Sequence, residues 1–240
     1  MRTKLIAVAA AGLLVGFAAG FLVANSLNRS ELDAVRSQLA TAGNAGPAGT
    51  QPSSMELSAE EIRAKIAEAD QNPENFGYQK TLGLALYTYA AMKQDAVLLE
   101  DVAKLLGRAY ELNPNDYDVL VSYGNVSFDL GRIRKDEKLN LRARELYNEA
   151  LKKNEKDANV RTSLGVSFLE TENPDPGEAI EQLKAAVGID PKNGKALRYL
   201  AKAYDENGDM ESAAKFLKEL KTVDPEDPAI PELEKKIQEN

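Results

Sequence analysis

The sequence predicts an all-α protein: one N-terminal transmembrane helix followed by an α-solenoid of about four helix pairs with flanking helices. Three observations predict it. Residues 5–24, LIAVAAAGLLVGFAAGFLVA, carry no charge, and at about 1.5 Å per residue such a run spans a hydrocarbon core of about 30 Å. From residue 57 onward apolar residues recur at three-four spacing, the period of helices with one buried face. Helix-stop signals then fall at near-regular places: QNPEN at 71–75, LNPND at 112–116, KNEKD at 153–157, IDPKN at 189–193 and VDPED at 223–227. With Pro73, Pro114, Glu155, Pro191 and Pro225 taken as equivalent, the steps are 41, 41, 36 and 34 residues. Self-similarity at such a period signals stacked repeats.

The chain divides accordingly. Arg2 and Lys4 precede the apolar run without an acid, and a balanced mix (Arg29, Glu31, Asp33, Arg36) follows it. That bias predicts a cytoplasmic N-terminus and places everything after residue 25 across the membrane, in the periplasm of a Gram-negative cell. Small residues at 18–20 would suit cleavage of a signal peptide, but Phe21 to Ala24 carry the apolar run past that point, which favours an uncleaved anchor. Within the run Gly12, Gly16 and Gly20 recur every four residues, a flat strip along which two membrane helices approach closely. Leu32, Val35 and Leu39 continue a short helical seam, and the two features together suggest a homodimer. Residues 1–25 are thus read as cytoplasmic tip and anchor, 26–40 as a juxtamembrane helix, 41–56 as a Gly/Ala/Pro/Ser tether, and 57–240 as the repeat domain.

Composition narrows the chemistry. The net charge is −8 with acids and bases interspersed, whereas a nucleic-acid binder needs a concentrated basic face. There is no Cys and no His, which removes disulfides, thiolate nucleophiles and imidazole metal sites. Paired carboxylates such as Glu60-Glu61 and Asp224-Glu226 fall where helices begin and end, with ordinary structural duties. No catalysis, metal or cofactor is expected, and no nucleic-acid partner.

The repeats have internal structure. Ten residues after each stop stands a small residue (Gly83, Gly124, Gly165, Ala201), preceded by a large one (Leu82, Tyr123, Leu164, Leu200). The last copy reads Leu197, Leu200, Ala201, Tyr204, then Ala213, Leu217 and Pro225; the one before reads Arg161, Leu164, Gly165, Phe168, then Ala179, Leu183, Ala186 and Pro191. These residues resemble the tetratricopeptide repeat (TPR) family. The two earlier copies each carry seven extra residues between their paired helices. Glu155 replaces a proline, and Ser127 stands where an aromatic is usual. The resemblance covers about residues 57–240. Helix pairs are expected at 75–92 with 96–112, 117–130 with 136–153, 158–170 with 177–188, and 194–207 with 210–222, flanked by helices at 58–71 and 229–238. The family implies right-handed stacking and a concave face lined by the first helix of each pair.

Carrying the family's phase over implies a peptide-binding groove lined by Lys80, Leu84 and Tyr87; Asp118, Val121, Asn125 and Phe128; Asn159, Thr162, Val166 and Leu169; and Lys195, Arg198 and Lys202. Leu84, Val121 and Val166 are equally readable as core. The groove would be apolar and aromatic at its centre and basic at its C-terminal end, suiting an extended or helical peptide with an apolar anchor and an acidic end. The family's carboxylate clamp is expected to be absent: Asn125 fits it, but Val121 and Ser163 stand where a Lys and a second Asn belong. The function implied is a non-enzymatic protein–protein scaffold, anchored in the inner membrane, for assembly of an envelope complex. A sharper reading is cytochrome c maturation, because RTSLGVSF and ALRYLAKAYDENGDMESAAKFLKEL look like membrane-anchored TPR assembly factors of that pathway. The alternatives are a self-associating structural anchor and a secretion or pilus assembly factor.

Overall fold

Each stop signal ends one helix and caps the next. In the computed structural model, which describes residues 58–239, ten helices and no strand occur among the described residues. They are α1 (Ala59–Gln71), α2 (Phe76–Lys93), α3 (Ala96–Leu112), α4 (Tyr117–Arg134), α5 (Glu137–Lys153), α6 (Ala158–Leu169), α7 (Pro176–Ile189), α8 (Gly194–Glu206), α9 (Met210–Val223) and α10 (Ile230–Glu239). The anchor with Gly12, Gly16 and Gly20, the juxtamembrane helix and the tether lie outside the described residues. No helix within them is long and apolar enough to cross a membrane.

The helix starts have one cause. Ser58, Asn75, Asp95, Asp116, Asp136, Asp157, Asp175, Asn193 and Asp209 each accept a hydrogen bond from a first-turn N–H, satisfying donors the helix itself leaves unpaired. The stops explain why Glu155 can stand for proline. The turn is held by the residue before it: Asn115 N–H donates to Asn113 Oδ1 (3.2 Å), Lys156 N–H to Asn154 Oδ1 (3.3 Å) and Lys192 N–H to Asp190 Oδ1 (3.0 Å). An Asn or Asp side chain imitating a backbone turn fixes the corner, so the ring of proline is dispensable there.

The paired helices α2/α3, α4/α5, α6/α7 and α8/α9 pack as antiparallel hairpins, with α1 and α10 covering the ends. Small residues set the closeness of the pairs. A Cβ on Gly124 would lie 2.7 Å from Tyr147 Cε1, and one on Gly165 2.6 Å from Leu183 Cγ, so neither hairpin could close this tightly around a larger residue. Apolar clusters run continuously between pairs, from Ile62, Leu86 and Leu106 through Leu120, Tyr147 and Leu164 to Leu200 and Leu220. Each pair is completed by its neighbours, as in a one-dimensional stack.

The extra residues of the first two copies lengthen the helices rather than the turns. α2 and α4 have 18 residues, α6 only 12. α4 therefore runs on to Arg134, four residues past the expected end at 130. The α2–α3 and α4–α5 turns shrink to Gln94-Asp95 and Lys135-Asp136, with Gln94 (φ 53°) and Lys135 (φ 54°) left-handed.

Candidate functional site

The first helices α2, α4, α6 and α8 touch one another in sequence and so line the inner side of the stack. Their largely half-buried side chains form a ladder of polar links from pair to pair. Lys80 Nζ reaches the carboxylates of Asp116 and Asp118, each at 2.8 Å. The Tyr87 hydroxyl donates to Asp129 Oδ2 at 2.9 Å. Arg132 Nε lies 3.8 Å from Glu170 Oε2, and the Tyr199 hydroxyl donates to Glu170 Oε1 at 2.6 Å. Asp129, Arg132, Glu170 and Tyr199 were not among the residues singled out from sequence. The signal was present: 125, 129 and 132 extend the phase of 118, 121 and 125 along α4, past the end expected at 130.

Lys195, at the start of α8, makes no hydrogen bond or ion pair among the described residues. Its side chain is exposed, yet partial desolvation by the walls of the inner face pulls its ammonium below the usual lysine range, against the opposing pull of Asp129 and Glu170. Across from it, burial raises Asp129 above the ordinary carboxylate range, offset by the Tyr87 hydroxyl and by the positive charges of Arg132 and Lys195. Burial also raises the phenols of Tyr87 and Tyr199, aided by the neighbouring carboxylates Asp129 and Glu170, so both stay protonated donors at neutral pH.

The expected groove residues separate into three groups. Phe128, Thr162, Val166 and Leu169 are buried within the stack and present no surface along the inner face. The expected apolar, aromatic centre is thus core, and charged and phenolic groups line the centre instead. α6 lies between neighbours on several sides, so seven of its 12 residues are buried, and helical phase alone could not tell groove from core. Leu84 and Val121 are half-buried and packed against apolar clusters.

The second group reaches the surface but is committed. Asn125 accepts from the Tyr147 hydroxyl at 2.9 Å. Lys80 is held by its two aspartates. Arg198 makes a two-point contact with Asp227, whose side chain is fully buried, at 2.8 Å from Nε and 2.7 Å from Nη2. The basic stripe is therefore not three equal cations. Lys202 keeps a long contact with Glu206, 3.8 Å, and lies over the Tyr199 ring, 5.9 Å from its centroid. The residues left to meet a ligand are Lys195, Lys202 and the polar rungs Tyr87, Asp129, Arg132 and Glu170.

Where the long α4–α5 hairpin meets the shorter α6–α7 hairpin, the overhang leaves a cavity of about 340 Å³ bordered by Arg132, Lys135, Asn140, Glu170 and Thr171. Among the described residues no cluster of acidic, His or Cys side chains is arranged to hold a metal.

Two family models described as tetratricopeptide repeat match the chain, over residues 139–193 and 171–237. No curated protein matches it. Among solved structures, a crystal structure of MamA is similar at 21% identity, covering 75% of this chain and 90% of that one with a TM-score of 0.53. MamA residues 41 to the end from Desulfovibrio magneticus RS-1 is similar at 19% identity, covering 70% and 86% with a TM-score of 0.55. A MamA AMB-1 structure is similar at 24% identity, covering 70% and 89% with a TM-score of 0.53. At these identities the likeness is one of fold. Residues 139–237 thus match tetratricopeptide repeats, and the described residues as a whole form a helical solenoid of the kind such repeats build.

Proposed function

We propose that this scaffold is a single-pass inner-membrane protein whose solenoid, outside the cytoplasm, holds a segment of a partner protein along its inner face while an envelope complex is assembled. Cytochrome c maturation is the pathway that the resemblance of its last repeats favours. The observation that carries the groove reading is Lys195. It is an exposed cation without a direct partner on a face where the neighbouring charges are linked, and partial desolvation by that face already pulls its ammonium down. An incoming carboxylate, from an acidic side chain or a chain terminus, would relieve that penalty and gain a charge-assisted hydrogen bond. Tyr87 and the Arg132–Glu170 link would border an extended peptide reaching it.

The test is calorimetric titration of the full chain with the C-terminal peptide of an apocytochrome c, with and without a C-terminal amide. Binding is expected, and K195A should weaken it by about tenfold, the equivalent of one charge-assisted contact of about 1.4 kcal/mol. An apocytochrome peptide that fails to bind removes the cytochrome reading. Binding that ignores both K195A and the amide removes Lys195 as the anchor.

A further inference from the structure

The solenoid has two edges, and they differ. One carries the stop-signal corners between successive pairs. The other carries the tight turns within pairs, and there the long hairpins project. From a shared corner edge, α4 with 18 residues outreaches α6 with 12 by about 9 Å at 1.5 Å per residue. The projecting tips expose large apolar side chains: Met92 is 71% exposed, Val97 73% and Ile133 47%. Met92 and Ile133 are 41 residues apart and hold equivalent places on successive hairpins.

The α4–α5 tip is also locally basic: Arg132, Arg134, Lys135 and Lys138 outnumber Asp136 and Glu137. Arg134 in turn pairs with Glu100 of the neighbouring tip. Lys135 and Lys138, both exposed, form no ion pair among the described residues. The acidic turns of the third and fourth hairpins (Glu172, Asp175, Asp205, Glu206, Asp209) sit at the ends of shorter helices and are set back. The described chain also enters at this edge. The Tyr78 hydroxyl near the start of α2 donates to Glu68 near the end of α1 (2.8 Å), and Arg108 near the end of α3 contacts Asp70 at the end of α1 (2.7 Å). α1 therefore ends at the corner edge beside the start of α2 and the end of α3, and its 13 residues, with Ile62 and Ile66 buried in the first core cluster, lead back toward the tip edge at Ser58. The sequence preceding Ser58 therefore joins the described domain at this edge.

We infer that the tips of the α2–α3 and α4–α5 hairpins dock on an anionic lipid surface, with Met92, Val97 and Ile133 entering the headgroup layer and Lys135 and Lys138 meeting lipid phosphates. This combination of apolar insertion and basic residues is what an interfacial contact requires. Docking would turn the inner face sideways to the bilayer, within reach of a partner emerging from it. The inference rests on the membrane anchoring read in residues 5–24.

The chain has no Cys, so single-cysteine variants can carry a nitroxide label. Full chain with I133C, or with V223C on the corner edge as reference, is reconstituted in vesicles of phosphatidylcholine alone or with phosphatidylglycerol. Label exposure is read with oxygen, which concentrates in lipid, and with a water-soluble nickel chelate. In the anionic vesicles I133C should show severalfold lower nickel accessibility than V223C and higher oxygen accessibility, and K135E/K138E should abolish the difference. Equal exposure of the two labels in chain retained through an alkaline wash overturns the docking alone. Shielding that is equal in both lipids and grows with protein density overturns it in favour of a second copy covering the tips. Loss of the chain in the alkaline wash overturns the anchoring, and the docking with it.

Discussion

Arg198 was read from the sequence as a groove cation, yet its contacts make it a brace for the C-terminal end, and the two roles predict different outcomes. The Asp227 carboxylate is fully buried, accepts from two guanidinium nitrogens, and also accepts from Ala229 N–H at 2.9 Å just before α10 begins. Truncating Arg198 to Ala leaves that carboxylate buried without its counter-charge. Breaking a buried pair from one side costs about 3–5 kcal/mol. The guanidinium keeps 32% of its surface in water, and this screening puts R198A near the lower end, about 3 kcal/mol. D227A strands the partly solvated partner instead and should cost less, about 2 kcal/mol including the lost cap. The double variant should cost about as much as the more damaging single one. The assays are urea denaturation of all four forms and hydrogen exchange across α9 and α10, where 3 kcal/mol corresponds to about a hundredfold faster exchange if the end opens locally. Single-variant costs below about 1 kcal/mol, or costs that simply add, would refute the brace and return Arg198 to the groove.

Three further outcomes follow from the same structure. G124A should lose about 1–2 kcal/mol, because the new methyl meets the ring of buried Tyr147 and overpacking outweighs a helix-propensity gain of about 1 kcal/mol; G188A, with nothing within 4 Å, should instead gain about 0.5 kcal/mol in thermal or urea denaturation. Q94G should raise stability by about 0.5–1 kcal/mol, since Gln94 holds a left-handed conformation (φ 53°) that glycine adopts without the Cβ clash. Burial raises Asp129, so the folded chain holds that proton more tightly than the unfolded one, and this group's contribution to stability falls as pH rises from about 4 through its elevated folded value. D129N keeps an acceptor for Tyr87 and should remove that decline; denaturation midpoints measured from pH 4 to 7 that fall more steeply in D129N than in the parent would contradict the assignment.

The helix order was legible because each boundary is written locally, in an Asp or Asn cap and a corner of Asx type. Even the copy with Glu155 in place of proline kept its phase, since the side chain of Asn154 does the turning. The end of α4 was not legible. The helix was expected to end at 130, but it continues to Arg134, with Asn140 packed against Gly131. The inner face was only partly legible for a related reason. Its rungs join residues 42, 38 and 29 positions apart, Tyr87 to Asp129, Arg132 to Glu170 and Glu170 to Tyr199, and no local pattern announces such a pairing. Phe128 and Val166 shared the right helical phase, yet the stack closes over them.

The unequal length of the hairpins has a consequence for how this array could have grown. In a uniform solenoid any unit can be duplicated, deleted or exchanged, because every interface is the same. Here the upper turns of α4 have no counterpart on α6, while α2 and α4 match each other in length. A duplicated first unit could stack on the second, but a third unit moved ahead of it would leave apolar positions of α2 or α4 without a mate. Length thus divides the array into two blocks, the first two pairs and the last two, each of matching helices, and exchange is opposed across the step between α4 and α6.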